Sequence, residues 1–265
     1  MENRLPGVTI SKKKNQSLYY RSSLTYRNKH ISLGSFDSMM KAHLAYREAW
    51  CLLEDESLSI ESWTDHKIIS FEKWVCLANF RDNHIYICNP IYTRQKFFYY
   101  YLSPNTCLIF DVEDLFYYSM HKIMRRGGHL FVSDYGMQYN IMNRYGIKNY
   151  AVQNRDYKLI NGNPLDLRYE NILIINRYQG VQKIQVKGVT KYKVLIHMNG
   201  NYTVGIYDSE IEAAIAYNKA VDFVRTKNVT KNYSINFIEE ITNATYAEIY
   251  SRLKLSKKLR TLPQQ

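Results

Sequence analysis

Basic and hydroxyl side chains alternate with apolar ones in two short segments near opposite ends of the chain. In residues 20–25 the alternate set is Arg21, Ser23 and Thr25, and in residues 191–197 it is Lys191, Lys193, Leu195 and His197. Successive side chains of a β-strand point to opposite faces, so each set would share one side of a sheet. Arg and Lys can bond guanine edges and phosphates, and hydroxyls can bond several bases. The spacing therefore predicts polyanion binding, with double-stranded DNA as the expected partner.

Residue patterns for covalent or zinc chemistry are not found in the sequence. No Ser/His/Asp or Cys/His arrangement supports nucleophilic catalysis, and there is no glycine-rich phosphate loop. The cysteines form no CxxC pair and have no histidine at ligand spacing; they are Cys51, Cys76, Cys88 and Cys107. We expect free buried thiols in a reducing cytoplasm, with no catalytic residue, no metal site and no cofactor.

The excess positive charge is confined to the two flanks of the chain. Residues 1–50 hold nine Lys and Arg against three Asp and Glu, and residues 180–237 hold eight against four. Residues 238–265 hold five against three, whereas residues 51–179 balance at fourteen of each. Two basic regions around a neutral centre predict two separate contacts with a polyanion.

The two basic flanks also resemble each other in sequence. Residues 33–38, Leu-Gly-Ser-Phe-Asp-Ser, recur as residues 204–209, Val-Gly-Ile-Tyr-Asp-Ser. At the same offset of 171, the helix positions Ala42, Ala45, Tyr46 and Ala49 recur as Ala213, Ala216, Tyr217 and Ala220. A further match pairs residues 7–9 with residues 188–190, both Gly-Val-Thr. This order of matches predicts an internal duplication.

Each copy is predicted to form three strands followed by a helix. Residues 18–26 and 30–36 alternate around a polar turn, and residues 192–198 and 202–207 flank Asn199-Gly200, a strong hairpin signal. Asp-Ser then supplies N-cap residues, and small residues at i, i+3 and i+7 can lie close against a sheet. One sheet face would be buried by the helix and the other left open.

The run Tyr20-Arg21-Ser22-Ser23-Leu24, the following His30–Phe36 segment and the Ala-x-x-Ala-Tyr helix resemble the APETALA2/ethylene-response-factor DNA-binding domain. That family lays a three-stranded antiparallel sheet in the major groove with a helix behind it. The resemblance covers residues 5–53 and 183–237. The sequence departs from the family at the tryptophan usual in strand two, which is Tyr20 here and Tyr192 in the second copy.

Residues 160–172, Ile-Asn-Gly-Asn-Pro-Leu-Asp-Leu-Arg-Tyr-Glu-Asn-Ile, resemble the ββα-metal core of HNH homing endonucleases. That family places an Asp-His pair directly before the Asn-Gly turn, the aspartate for a divalent cation and the histidine as general base. Here those positions are Lys158 and Leu159, and only Asn171, placed at the head of the expected helix, is retained. Lysine repels a cation and leucine cannot accept a proton, so the resemblance implies a degenerate centre.

The predicted fold is α+β, with two modules of a three-stranded antiparallel sheet plus a helix flanking a ββα-type HNH-like domain. The expected boundaries are 1–55, 56–179 and 180–240, with a basic helix or tail at 241–265. That tail either docks on the second module or frays. The predicted DNA-binding residues are Lys12, Lys13, Lys14, Arg21, Ser23, Thr25, Lys29, His30, Lys187, Lys191, Lys193, His197, Asn201 and Thr203.

The predicted function is sequence-specific duplex DNA binding without cleavage, by a domesticated homing endonuclease acting as a transcriptional or chromosome-associated regulator. An active HNH nuclease needing a divalent cation is one alternative, with His121 or His129 as a replacement base. An RNA- or ribosome-associated protein and a scaffold that binds no nucleic acid are others, and the outward charges could also be an ordinary solvated face. With no apolar run of membrane length and no secretory signal, we expect a cytoplasmic, nucleoid-associated protein.

Overall fold

A computed structural model describes residues 5–227 and 231–261 of the chain. Its small antiparallel sheets and short helices make the fold α+β, as predicted. The chain forms two compact units: unit 1 contains the described residues of Met1–Tyr139 with Pro164–Tyr169, and unit 2 contains those of Asn140–Asn163 with Glu170–Gln265. In the part of the chain that the structure describes, no helix is long and apolar enough to cross a membrane.

Unit 1 begins with the first sheet-and-helix copy, which we call module 1. Its strands are β1 (Val8–Lys12), β2 (Leu18–Tyr26) and β3 (Lys29–Phe36), in that order and antiparallel, and its helix is α1 (Met39–Glu54). The side chains that meet between sheet and helix are almost fully buried: Leu24, Ile31, Leu33, Ala42, Ala45 and Ala49. Small alanines let α1 lie close to the sheet, so the predicted packing is confirmed.

The rest of unit 1 consists of two helices and two further sheets. It contains α2 (Phe71–Asn83), β4 (Ile91–Thr93), β5 (Phe97–Ser103), β6 (Thr106–Asp111), α3 (Leu115–Met120), β7 (Ile123–Arg126), β8 (His129–Asp134) and β9 (Met137–Asn140). Strands β4-β5-β6 form one sheet and β7-β8-β9 another. Aromatic residues 97–101 all lie in β5. The turn between β7 and β8 consists of Gly127 and Gly128, because Arg125 and Arg126 both belong to β7.

A two-stranded hairpin follows in unit 2, at the segment that resembles the HNH core. Strand β10 (Tyr157–Leu159) pairs antiparallel with β11 (Ile172–Ile174). The prediction of a helix headed by Asn171 is wrong: residues 169–171 form a single 3-10 turn and the chain continues into β11. Three residues give a helix no nucleus to propagate, whereas the β-branched residues after Asn171 favour a strand.

The second copy, module 2, also lies in unit 2. Its strands are β12 (Val181–Val186), β13 (Val189–His197) and β14 (Asn201–Tyr207), and its helix is α4 (Glu210–Arg225). The C-terminal segment, predicted as one helix or a tail, is broken into α5 (Asn243–Arg252) and α6 (Lys257–Arg260). It docks on module 2, since Ser256 N–H donates to the Val204 carbonyl over 3.0 Å and Leu259 is fully buried.

The two modules share a bulge and a glycine contact. Strand pairing shifts by one residue after Ser22 opposite Gly34 and after Val194 opposite Gly205, which leaves Leu33 and Val204 as the extra residues. A β-bulge at one shared position is a structural mark of common design. It supports the duplication independently of sequence identity.

The glycine contact corrects part of the sequence alignment. Gly7 has φ 76° and a Cβ there would collide with the Tyr46 ring; Gly180 has φ 74° and faces Tyr217 in the same way. Gly188, matched to Gly7 from sequence, instead lies in the β12–β13 turn with open space around it. Each hairpin of module 2 is one residue shorter, so a constant offset could not find the pair Gly7 and Gly180.

Candidate nucleic-acid interface

In each module, one sheet face packs on the helix and the opposite face, which we call the outer face, carries the alternate residues. In module 1, Ser22 and Leu24 are buried while Arg21 and Thr25 are exposed. In module 2, Val194 and Ile196 are buried while His197 is exposed. The inward and outward assignments made from the alternation are therefore confirmed.

The outer face of module 1 is lined by hydroxyls around one arginine. Strand register places Arg21 between Thr9 and Ser35, and Thr25 opposite His30. The neighbouring pair in β2 and β3 is Ser23 with Ser32. Such groups donate and accept hydrogen bonds, which is the chemistry that base edges and phosphates require.

The neighbouring Tyr19 positions the Arg21 side chain at the centre of this face. Its Nη2 donates to the Tyr19 hydroxyl over 2.8 Å, and its guanidinium carbon lies 5.4 Å from the Tyr19 ring centroid. No carboxylate pairs with Arg21 within the described residues. A guanidinium that is positioned by a neighbour but not neutralised keeps its remaining donors for an external acceptor, and loses less side-chain freedom on binding.

The outer face of module 2 uses lysines instead. Lys193 lies between Gln182 and Ile206, in the register position that Arg21 occupies in module 1. Lys191, two residues away, forms an ion pair with Asp208. Because that carboxylate offsets its charge, Lys191 contributes less to the positive potential of the face than Lys193 does.

The remaining predicted residues of module 2 lie along β13 and β14 and in the β12–β13 turn. His197 Nδ1 and Asn201 Oδ1 are 3.0 Å apart, so these two predicted contacts bond each other. Thr203 is exposed and lies opposite Leu195. Lys187 is exposed in the β12–β13 turn, at the end of the sheet, with φ 51°.

Four of the predicted module 1 contacts lie outside the outer face. The Lys12–Lys14 loop is exposed at the end of β1, a position suited to phosphates and not to base edges. Lys29 pairs with Tyr26, whose ring packs on Trp50 and Phe80, and its ammonium lies 5.8 Å from the Tyr86 ring centroid. Lys29 therefore belongs to the helix side of the sheet.

Both sheets lack carboxylates over their whole length. Residues 5–36 contain six Lys and Arg and no Asp or Glu, and residues 181–207 contain four Lys and no Asp or Glu. Solvated protein surfaces ordinarily intersperse both signs of charge. A sheet that excludes one sign is complementary to a polyanion.

The hairpin of unit 2 holds the residues that occupy the HNH positions. Lys158 is exposed, Leu159 is buried, and Asn171 is buried in the turn. Asn171 Oδ1 accepts from Asn161 N–H over 2.8 Å and its Nδ2 donates to the Asn163 carbonyl over 3.2 Å. The side chain of the retained asparagine thus stabilises the hairpin turn through two hydrogen bonds to its backbone.

The other candidates for chemistry are bound into the structure of unit 1. His121 stacks on Tyr117 and its Nδ1 lies 2.9 Å from the Tyr117 carbonyl oxygen. His129 is exposed at the start of β8. Among residues 5–227 and 231–261, no three His, Cys, Asp or Glu side chains are grouped to hold a metal ion.

The four cysteines are free thiols, as expected, but burial holds for only one of them. Cys76 is buried, Cys107 is half-buried, and Cys51 and Cys88 are exposed. Burial raises the pKa of the Cys76 thiol to about 12. Cys76 is therefore a packing residue and not a nucleophile.

The predicted contacts leave out several outer-face residues, most of them on the outer strands of each sheet. Ser32 and Ser35 on β3, Gln182 on β12 and Ile206 on β14 flank the predicted contacts, and Tyr19 positions Arg21. The same alternation applied to the outer strands would have found them. Comparison of the chain with protein-family models, with curated proteins and with solved structures finds no match.

Proposed function

We propose that this chain binds double-stranded DNA sequence-specifically through the outer faces of module 1 and module 2, without cutting it. The observation that carries the proposal is the pair of sheets, each closed by a helix on one face and free of carboxylates throughout. A three-stranded sheet has the width to enter the major groove, where its outward side chains meet base edges. Two such modules on one chain bind one DNA more tightly than either alone when both can engage it.

Each module has a distinct part in this proposal. In module 1, Arg21 bonds guanine O6 and N7 while Ser23, Thr25 and Ser35 bond neighbouring bases. In module 2, Lys193 takes the place of Arg21. The Lys12–Lys14 loop and Lys187 bond phosphates, which fixes the position of each sheet on the duplex.

The hairpin β10–β11 is, in this proposal, what remains of an HNH core. It has two strands and an Asn-Gly turn, and it has Lys158 and Leu159 where the resemblance places a metal ligand and a general base. An ammonium group repels Mg²⁺, and a buried leucine has no lone pair for a proton. The chain would then be a domesticated homing endonuclease that acts as a transcriptional or chromosome-associated regulator.

Binding is tested by selecting ligands for the full chain from a random-sequence duplex library, followed by fluorescence anisotropy of the enriched duplex. We expect enrichment of a defined site, and affinity that falls steeply between 50 mM and 200 mM salt, on the order of a thousandfold for six or more phosphate contacts. A structured RNA added as competitor at fixed salt should displace the duplex poorly. Stronger displacement by RNA would contradict the proposal, as would binding that does not change with salt.

Cleavage is tested by incubating supercoiled plasmid that carries the enriched site with the chain and Mg²⁺ or Mn²⁺. We expect the plasmid to remain supercoiled at every metal concentration. Nicking that EDTA abolishes would assign a working nuclease centre to the chain and overturn the no-cutting half of the proposal.

A further inference from the structure

Five aliphatic side chains lie on the outer face of module 2. Alternation from Lys193 along the central strand, together with strand register, places them there: Ile184, Val186, Val189, Leu195 and Ile206. Val189 is 56% exposed, Ile206 54% and Val186 37%. None of the five is among the described residues that form or pack against the core of module 2. Exposed aliphatic groups that share one face mark a binding surface.

Module 1 has hydroxyls at the positions that match three of these side chains, Ile184, Leu195 and Ile206. Ile206 pairs with Lys193 as Ser35 pairs with Arg21, and Leu195 lies at the register position of Ser23. Ile184 likewise pairs with Lys191 as Ser11 pairs with Tyr19. The substitution of aliphatic for hydroxyl groups runs across all three strands, so the two faces offer different chemistry to the same kind of ligand.

The major groove of duplex DNA presents one apolar group, the 5-methyl of thymine. A face that combines unpaired lysine charge with exposed branched aliphatics matches a phosphate backbone beside such methyls. We propose that module 2 recognises thymine methyl groups through Ile206 and its aliphatic neighbours, and that module 1 does not. This inference rests on the proposed function and specifies the bases that one of its two faces reads.

A second copy of this chain is a poorer occupant of the same face. A twofold contact would bring the surface around Lys193 and Lys187 against its own image. With no Asp or Glu in residues 181–207, the two like-charged sheets would repel each other. The phosphates of DNA supply the opposite charge that the face lacks.

The experiment compares the enriched duplex made with thymine and the same duplex made with deoxyuridine in place of every thymine. Uracil keeps the hydrogen-bonding edge of thymine and removes only the methyl. Burying one methyl is equivalent to about a fourfold change in Kd, so we expect about fourfold weaker binding for each methyl contacted. Anisotropy of the full chain with each duplex measures the ratio.

Two variants locate the effect. Ile206→Ser should weaken binding to the thymine duplex and bring the two Kd values together, and because Ile206 is exposed the change should leave the fold intact. Ser35→Ala, at the matching position of module 1, should retain the full difference between the duplexes. A thermal melt of each variant checks that it is folded.

Equal Kd values for the two duplexes with the native chain would overturn this inference while leaving DNA binding in place. A library that yields no enriched duplex would overturn the inference and the proposed function together. Sedimentation that shows a dimer of the native chain and a monomer of Ile206→Ser would assign the face to a second copy, which also overturns it.

Discussion

Module 1 and module 2 are alike on the face that meets the helix and different on the face that meets solvent. In both modules, buried alanines of the helix pack under the sheet and a tyrosine lies over a glycine with positive φ. A β-bulge follows the matching inner residues Ser22 and Val194. On the outer face, hydroxyls around Arg21 correspond to aliphatics around Lys193. Close packing restricts what an inner position tolerates, whereas an exposed position is free to change with the ligand. The comparison teaches that the inner face specifies the fold, and in the proposed function it is the outer face that determines what each module binds.

The modules also differ in what covers their last strand. In module 2 the segment before α6 bonds β14, with Ser256 Oγ donating to the Thr203 carbonyl over 2.8 Å. Leu255 and Leu259 join the core beside the helix. Covering an edge strand blocks its free backbone groups from pairing with another chain. The C-terminal segment therefore completes module 2.

The largest expected effect tests the shared inner face. Gly7→Ala and Gly180→Ala should each lower the free energy of unfolding of their unit by about 2–4 kcal/mol, because a Cβ would meet a tyrosine ring and because φ is positive. Gly188→Ala is the matched control: its φ is +78° but its surroundings are open, so only about 1 kcal/mol is expected. Urea denaturation followed by circular dichroism measures all three. A loss at Gly188 equal to that at Gly180 would break the corrected alignment.

The next effect tests the difference between the outer faces. Arg21→Ala should weaken binding of the enriched duplex tenfold to hundredfold, as expected for a bidentate contact worth about 1–3 kcal/mol. Lys193→Ala should weaken it less, since an ammonium makes no bidentate fork. Lys191→Ala should have the smallest effect of the three because Asp208 already offsets its charge. Anisotropy gives the affinities, and unchanged affinity in both Arg21→Ala and Lys193→Ala would show that the wrong face was chosen.

A smaller effect tests a position at which the inner faces of the two modules differ. Module 1 has Ser22 where module 2 has Val194, and the fully buried Ser22 hydroxyl has no hydrogen-bond partner among the described residues. Ser22→Ala should therefore stabilise unit 1 by about 1 kcal/mol, since it removes an unsatisfied buried polar group. Ser23→Ala, whose hydroxyl lies on the outer face, should be close to neutral. Urea midpoints compare them, and destabilisation by Ser22→Ala would point to a partner for the hydroxyl.

The smallest effect tests the two helix starts. Ser38 accepts from Lys41 N–H over 3.2 Å, whereas Ser209 makes no side-chain cap bond. Ser38→Ala should cost about 1 kcal/mol, the usual loss for a serine N-cap, and Ser209→Ala only a few tenths. Thermal unfolding of the two variants provides the comparison. Equal losses would mean that Ser209 also caps its helix in solution.

The sequence predicts the modules well because their signals are local. Strand alternation, the Asn199-Gly200 turn and the alanine stripe each act within a few residues, and the structure follows them. Helix α2 has no such signal: nine of its thirteen residues are buried, so it lacks the broad polar face that marks a surface helix. The glycine pair could not be found from a constant offset because the hairpin lengths differ between the copies. Lys29, predicted as a DNA contact, lies on the helix side of the sheet, beside the Tyr86 ring.

The central claim is that both outer faces contact the same duplex, and hydroxyl-radical footprinting of the enriched duplex tests it most directly. The native chain should protect two segments of the duplex. Arg21→Ala should lose protection of one segment and Lys193→Ala of the other, each with the remaining segment still protected at higher protein concentration. Protection of a single segment by the native chain, or loss of the same segment in both variants, would contradict the claim.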